Sequence, residues 1–433
     1  MKKSLLSKIE KNNEVVGIIG LGYVGLPLAV EFAKNNVSVI GFDVSLEKID
    51  NLKKGLNYID DIEEEDFNNA ISKKFNFTND FSNLNICDAI IICVPTPLDK
   101  FKKPDMSYIE IACKNISEHM TSDTFICLES TTYPTTTENF ILPIIESNSD
   151  FIHGTDFWLA YSPERVDPGN KLFKTHNTPK VIGAISKYGL KIGKLLYSKC
   201  IEKIHEVSSP KVAEMVKILE NTYRLVNISL INELALLSGK MSIDINEVIE
   251  AAKTKPFGYQ PFYPGPGIGG HCIPLDPFYL EYIAKKYEFD LKMIETAGHI
   301  NMRMPHYMYI KIATALNRNS KSVNNSKILF MGVAYKSDIS DERESPALKI
   351  IDKTISKGAI VSYSDPFVKE IITPNKNELK SLNFDKIKFN NYDCVVITTA
   401  HSLFDKALIF KKSNLIVDLR NYYSINSDKI FKL

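Results

Sequence analysis

Cys272 lies within residues 264–277, PGPGIGGHCIPLDP, a stretch holding four glycines and four prolines. Glycine frees the backbone and proline fixes it, which is how a loop is forced close to a ligand. A thiol of ordinary pKa about 8.5 gains thiolate character in an electropositive pocket, and a thiolate adds to a carbonyl to form a covalent intermediate. A cysteine simply packed in a tight turn is the competing reading. Asp276, four residues on, either orients a water or a lysine near that thiol or caps a helix that starts at Pro277. Earlier, Lys217, Asn221 and Arg224 recur at i, i+4 and i+7, on one face of a long apolar helix. That pattern suits a ligand surface, or a narrow exposed stripe. In YSPERVDPGN (161–170), a carboxylate, Glu164 or Asp167, can act as a base or position water, and Arg165 can pair with a phosphate or carboxylate. A surface ion-pair loop explains the same residues.

These groups need elements to hold them. Residues 15–44 read as strand, glycine turn, helix and strand, with Gly20, Gly22 and Gly25 spaced GxGxxG and Asp43 ending the second strand. The glycines allow close backbone approach, the helix start offers unpaired N–H groups to a pyrophosphate, and the carboxylate accepts from a ribose hydroxyl. Val44 rather than an arginine follows Asp43, which favours NAD over NADP. Apolar strands over 86–97, 125–131, 158–164 and 180–184, with helices near 106–119, 135–146 and 186–199, complete one doubly wound domain. Thr96 and Thr131 stand at strand ends where ligands bind, although turn chemistry is the simpler reading of both. The acidic run 60–66 reads as a solvated helix start.

Ser209 and Pro210 open the long helix and Gly239 is expected to stop it, about 45 Å later at about 1.5 Å per residue. Its largely apolar circumference implies burial, including in a subunit interface. Asp244 and Glu247 have capping-box spacing for the next helix, and Phe257, Tyr259, Phe262 and Tyr263 can cover a base or sugar. After a linker at 317–327, strands over 327–336, 359–366, 392–400 and 414–420 form a second α/β unit without GxGxxG, in which Lys336 and Arg343 can hold a phosphate.

The 433 residues suffice for two or three domains, and a formal net charge of +1 argues against bulk attraction to nucleic acid or membrane. The start lacks a signal-peptide apolar core, so a cytoplasmic protein is expected. Seven scattered cysteines without a CxxC pair suggest neither a disulfide framework nor a metal site.

Taken together, GxGxxG, VPTPL, ESTT, YSPERVDPGN, VKILENTYR, PGPGIGGHCIPLDP and GVAYKSDISDERESP closely resemble the UDP-glucose/UDP-N-acetylhexosamine 6-dehydrogenase family, in order and over essentially the whole chain. The resemblance implies an α/β fold of two Rossmann-like doubly wound domains joined by a long central helix. It divides the chain into an NAD-binding domain at 1–207, a helical domain with the cysteine loop and homodimer interface at 208–316, and a UDP-binding domain at 317–433. By resemblance, Cys272 matches the nucleophile, Lys217 the proton donor, acceptor and oxyanion partner, and Asn221, Glu164, Thr131 and Asp276 assisting residues. Arg165, Val166, Lys217, Asn221, Arg224, Gly267, Lys336 and Arg343 match substrate positions. Gly20, Gly22, Tyr23, Val24, Gly25, Asp43, Lys48, Thr96 and Thr131 match cofactor positions.

The implied reaction carries the C6 alcohol of a UDP-sugar to a carboxylate with two NAD, supplying surface-polysaccharide precursors. It requires Lys217 and Cys272 to converge on one sugar carbon. Where glucose members read GGSCFPKD, this chain has GGHCIPLDP, with His271 for Ser and Leu275 for Lys. That form resembles the UDP-N-acetylglucosamine branch, with UDP-N-acetylmannosamine, UDP-N-acetylgalactosamine and UDP-glucose as alternatives. A two-electron hydroxyacid dehydrogenase and a non-catalytic nucleotide-sugar sensor are the rivals from other classes.

Overall fold

Short runs of Ile, Val and Leu, too apolar to face water on either side, build two largely parallel sheets. The computed structural model describes residues 5–433 apart from 60, 100–102, 168, 171, 271 and 426 and the Cys272 side chain. The chain divides into two units: residues through Glu220 with Phe278–Phe289, and Asn221–Pro277 with Asp290–Leu433.

The first unit contains β1 (Val15–Ile19), β2 (Ser38–Phe42), β3 (Phe75–Thr78), β4 (Ala89–Ile92), β5 (Thr124–Leu128), β6 (Phe157–Tyr161), β7 (Lys180–Ala184) and β8 (Ile204–Val207). Their order is β3-β2-β1-β4-β5-β6-β7-β8. The first six strands run parallel in the order of a dinucleotide-binding fold, so the turn after β1 opens at the point where the strand order reverses. β7 then pairs antiparallel to β6. Alternate residues face opposite layers: Ile18 and Ile91 pack with the helix Gly25–Lys34, whereas Ile19, Ile90 and Ile92 pack with the helix Ser107–His119. β3 and β8 were not among the expected strands; each has four residues and a mostly exposed or half-exposed pattern, so neither carries a hydrophobic signature.

The second unit carries the all-parallel sheet β10-β9-β13-β14-β15, from β9 (Lys327–Met331), β10 (Ile360–Ser364), β13 (Cys394–Ile397), β14 (Ile416–Asp418) and β15 (Ile430–Lys432). An antiparallel hairpin of β11 (Glu370–Ile372) and β12 (Glu378–Lys380) follows β10. The second sheet repeats a device of the first. Gly20 after β1 has φ +96, and Gly332 after β9 has φ +80, both in the left-handed region that favours glycine. Asp43 after β2 accepts from Leu21 N, and Asp365 after β10 accepts from Val333 N and Ala334 N. Each carboxylate ties its strand end to the neighbouring glycine turn.

The long helix spans Pro210–Lys240, with Ala213 N donating to Ser209 O at 3.3 Å where it begins. Gly239 does not stop it: Met241 N still reaches Leu237 O, and the left-handed turn falls on Ser242, φ 58. A glycine inside a helix costs only about 1 kcal/mol, so its presence need not end one. Asp244 caps the helix Ile245–Lys253 as expected, but through Asn246 N rather than Glu247 N. The acidic run opens the helix Glu64–Lys73, with Glu63 as its cap residue; residue 60 lies outside the described residues. Among the described residues no helix is long and apolar enough to cross a membrane, and no group of three His, Cys, Asp or Glu residues is placed to hold a metal.

Candidate active site

The turn after β1 fits a dinucleotide in its local geometry. A Cβ added at Gly20 would sit 2.6 Å from Cys93 O, so only glycine passes there, whereas one added at Gly22 would meet nothing within 4 Å. Backbone at Gly22 is therefore open to a pyrophosphate, at the start of the helix Gly25–Lys34 that follows. Tyr23 is half exposed and Val24 precedes the helix. Asp43, buried, takes Leu21 N on one oxygen and Ser45 N on the other, each at 2.9 Å. Lys48 Nζ lies 3.0 Å from its Oδ2. Tyr58, which sequence reasoning missed, donates to Leu21 O at 2.6 Å; burial and the Asp43 charge raise its pKa and keep it a donor.

Two strand-end loops meet beside this turn's sheet: Thr96 Oγ1 donates to Thr131 O at 2.7 Å, and Tyr279 Oη donates to Thr96 O. The threonines thus serve as turn chemistry and as a link between candidate ligand loops. After β6, Glu164 curls back so that its Oε1 accepts from Arg165 N at 2.7 Å and Val166 N at 2.6 Å. Lys217 Nζ donates to the Glu164 carbonyl at 2.5 Å, bringing together two candidates 53 residues apart. Arg165 is committed elsewhere, to Glu220 at 2.6 Å and to Pro179 O at 2.6 Å.

In the second unit, Cys272 opens the helix Cys272–Ala284. Its thiol and residue 271 lie outside the described residues. The helix therefore starts ahead of Pro277, and Asp276 is not its cap. Proline in a first turn lacks only an N–H that has no helical partner anyway, so Pro274 leaves the early start intact. Asp276, buried one turn after Cys272, accepts instead from Asn221 Nδ2, and Asn221 Oδ1 accepts from Arg224. Three candidates are thereby joined. The loop is held from several sides: Gly265 N donates to Asn232 Oδ1, Ile268 N to Asn301 Oδ1, and Gly270 N to Arg343 O. Gly267 has φ +128. Lys336 follows β9 in the neighbouring turn, and the Arg343 guanidinium clasps Asp341, Nη2 to Oδ2 at 2.5 Å.

Four further polar residues had no usable signal in the letters. Arg420, after β14, donates to Thr398 O at 2.9 Å beside Gly265, and burial lowers its pKa to about 10. Lys180 and Glu129 form a buried pair at 2.9 Å. Glu214, one turn before Lys217 on the long helix, accepts from Thr135 N at 2.6 Å and from Thr137 N and Oγ1 at 2.9 and 2.7 Å. It secures Thr135, a β-branched residue at φ +82, just beyond Thr131.

Burial pushes Glu214 up from an ordinary 4.5 to about 7, against the pull of the Thr137 and Thr135 donors. Its folded pKa exceeds its unfolded one, so this stabilising contribution is complete below about 4.5 and lost as pH rises through about 7. Melting curves across that window should show the stability gap between the parent and Glu214→Gln changing with pH. A gap constant over the window would contradict this.

The chain matches three family models in sequence: the NAD binding domain (14–201), the central domain (211–303) and the UDP binding domain (329–425) of the UDP-glucose/GDP-mannose dehydrogenase family. It is 33% identical to Protein CapL of Staphylococcus aureus, over 96% of this chain and 98% of that protein. This chain belongs to the UDP-glucose/GDP-mannose dehydrogenase family. It is 32% identical to the UDP-N-acetyl-D-glucosamine 6-dehydrogenase of Pseudomonas aeruginosa, over 96% of this chain and 98% of that one. A solved structure from Pyrococcus horikoshii, described as a UDP-D-ManNAc dehydrogenase, superposes with a TM-score of 0.88 at 32% identity, covering 96% of this chain and 98% of that one. The chain is thus an NAD-dependent UDP-sugar dehydrogenase, with the expected Rossmann-like fold.

Proposed function

We propose that this member of the family oxidises the C6 alcohol of UDP-N-acetyl-D-glucosamine to the uronate, through a thiohemiacetal and then a thioester on Cys272. The observation that carries the reading is the Asn221–Asp276 bond, which fixes an amide of the Lys217 helix against the helix that Cys272 opens. Bound NAD supplies the hydride acceptor, once for each of two oxidations. The glycine turn and Asp43 hold its pyrophosphate and ribose. A water ordered by Asp276 takes the hydroxyl proton as the alcohol becomes an aldehyde. The Cys272 thiolate adds to that carbonyl, and Lys217 and Asn221 donate to the oxyanion. Loss of a second hydride leaves the thioester. Glu164 takes a proton from water, which displaces the thiolate and releases the carboxylate. The covalent tether keeps the aldehyde from escaping between oxidations.

Arg224, Lys336 and Arg343 supply cations for the diphosphate, with Gly267 and the backbone at Arg165 and Val166 beside the sugar. The relatives named for UDP-N-acetyl-D-glucosamine support this substrate. UDP-N-acetylmannosamine is the second reading, favoured by the likeness to the Pyrococcus horikoshii structure. Exposed Val212, Met215, Leu219, Tyr223, Leu230, Leu234 and Leu237 recur at steps of three, four or seven residues along the long helix. Such a stripe suits a second copy of the chain, so a homodimer is the working assembly. The six cysteines whose side chains are described are free, which suits a reducing cytoplasm. We place the three domains at 1–207, 208–316 and 317–433, and the product in the supply of surface polysaccharide.

Incubating the enzyme with NAD and each UDP-sugar in turn tests the reading. UDP-N-acetyl-D-glucosamine should give two NADH per sugar consumed. One NADH per sugar would indicate a two-electron dehydrogenase, and binding without any NADH a sensor.

A further inference from the structure

We propose that Lys180, at the head of β7, is a positioning residue for Glu164: it holds that carboxylate in place, and Glu129 in turn holds Lys180. The inference deepens the role given to Glu164 above and rests on it. Lys180 Nζ lies 2.9 Å from Glu129 Oε2 and 3.8 Å from Glu164 Oε2. Its side chain is 5% exposed and that of Glu129 fully enclosed. Tyr197 donates to the other Glu129 oxygen at 2.5 Å, and the Lys180 ammonium stands 5.1 Å from the centre of the same ring. A strand end, a second strand end and a helix thus grip one ammonium.

Burying an ion pair is weak evidence for stability, because apolar replacements of the same volume are often as good. This ammonium has a third neighbour that such replacements could not serve. Glu164 Oε1 is taken by two backbone N–H groups, and Oε2 faces Lys180. One oxygen is fixed by the loop and the other by a cation, so the carboxylate is oriented at both ends. Burial opposes the Lys180 charge, but Glu129 and Glu164 outweigh it and raise its pKa, so it remains an ammonium.

The other charged and titratable groups around Glu164 leave Lys180 as the cation facing its carboxylate among the described residues. Lys217, from the long helix, bonds the Glu164 carbonyl rather than its carboxylate. Arg165 turns its guanidinium to Glu220 and Pro179 O. Glu129, from the end of β5, interacts with both Lys180 and Glu164, and burial raises its pKa against the pull of Lys180. Cys93 and Cys127 are enclosed thiols whose pKa values burial raises, so they stay neutral. Removing Lys180 should therefore leave the Glu164 carboxylate held at Oε1 alone, free to turn out of line with the water it is to activate.

The test is kcat, KM and the rate of thioester decay in rapid-quench experiments, with NAD and whichever UDP-sugar yields NADH. Lys180→Met alone strands Glu129, so Lys180→Met is paired with Glu129→Gln, which keeps the acceptor for Tyr197. Thioester decay in that double variant should be about tenfold slower, with KM little changed. Lys180→Arg should restore the parent rate. A double variant with the parent rate of decay and only a lower melting temperature would make Lys180 structural and overturn the proposal. Glu164→Gln separates the two claims: a parent rate of decay in that variant would remove Glu164 as proton acceptor, whatever Lys180 does.

Discussion

Cys272→Ser should abolish sustained uronate formation, with a loss of at least about 10³-fold in kcat. A serine hydroxyl is not ionised near neutral pH and has no proposed base of its own, so it adds poorly to the aldehyde. Any adduct that is oxidised becomes an oxygen ester, from which alkoxide departs far less readily than thiolate. The variant should bind NAD and UDP-sugar as the parent does, because the glycine turn and the cationic residues are untouched. Rapid quenching followed by intact-protein mass measurement should find the sugar attached to Ser at this position, or free aldehyde released after a single NADH. Uronate produced at the parent rate would rule out the covalent scheme altogether.

Lys217→Ala comes next in size. Its ammonium already donates to the Glu164 carbonyl, and the proposed mechanism asks the same group to donate to the oxyanion of the thiohemiacetal. Removing one preorganised oxyanion donor costs about 10²–10³ in kcat. Since the donor acts on charge that exists only during reaction, kcat and kcat/KM should fall together. Asn221→Ala should repeat the pattern to a smaller extent and also release Asp276, which otherwise accepts from the Asn221 amide. A Lys217→Ala enzyme with raised KM and parental kcat would reassign the lysine to substrate binding alone.

Much of this was readable from the letters where the physics is local. Strand, glycine turn, helix and carboxylate lie within thirty residues, and each step constrains its neighbour, so the dinucleotide turn could be read directly. The three domain signatures were legible through the family resemblance, because loops that must approach ligands carry unusual glycine and proline spacing. Pairings across long separations were not. Lys217 and Glu164 are 53 residues apart, and Lys180 and Glu129 are 51 apart. A lysine beginning a strand looks solvent-facing until the partner that encloses it is known. Of the two readings of Asp276, the helix cap failed for another reason. Reading Pro277 as a first helical residue was sound on propensity, but the helix begins at Cys272, where Pro274 of the opening turn forfeits little and Pro277 lies inside the helix.

The matched carboxylates after β2 and β10 differ in how many donors they already hold. Asp365 is saturated: it takes the N–H groups of Val333, Ala334, Phe367 and Val368 as well as His401 Nε2. Among the described residues, Asp43 takes Leu21, Ser45 and Lys48, which leaves acceptor capacity for a ribose. An adenosine ribose offered to the second half would find that acceptor already engaged, so a copied architecture is prevented from competing with its own twin for the dinucleotide.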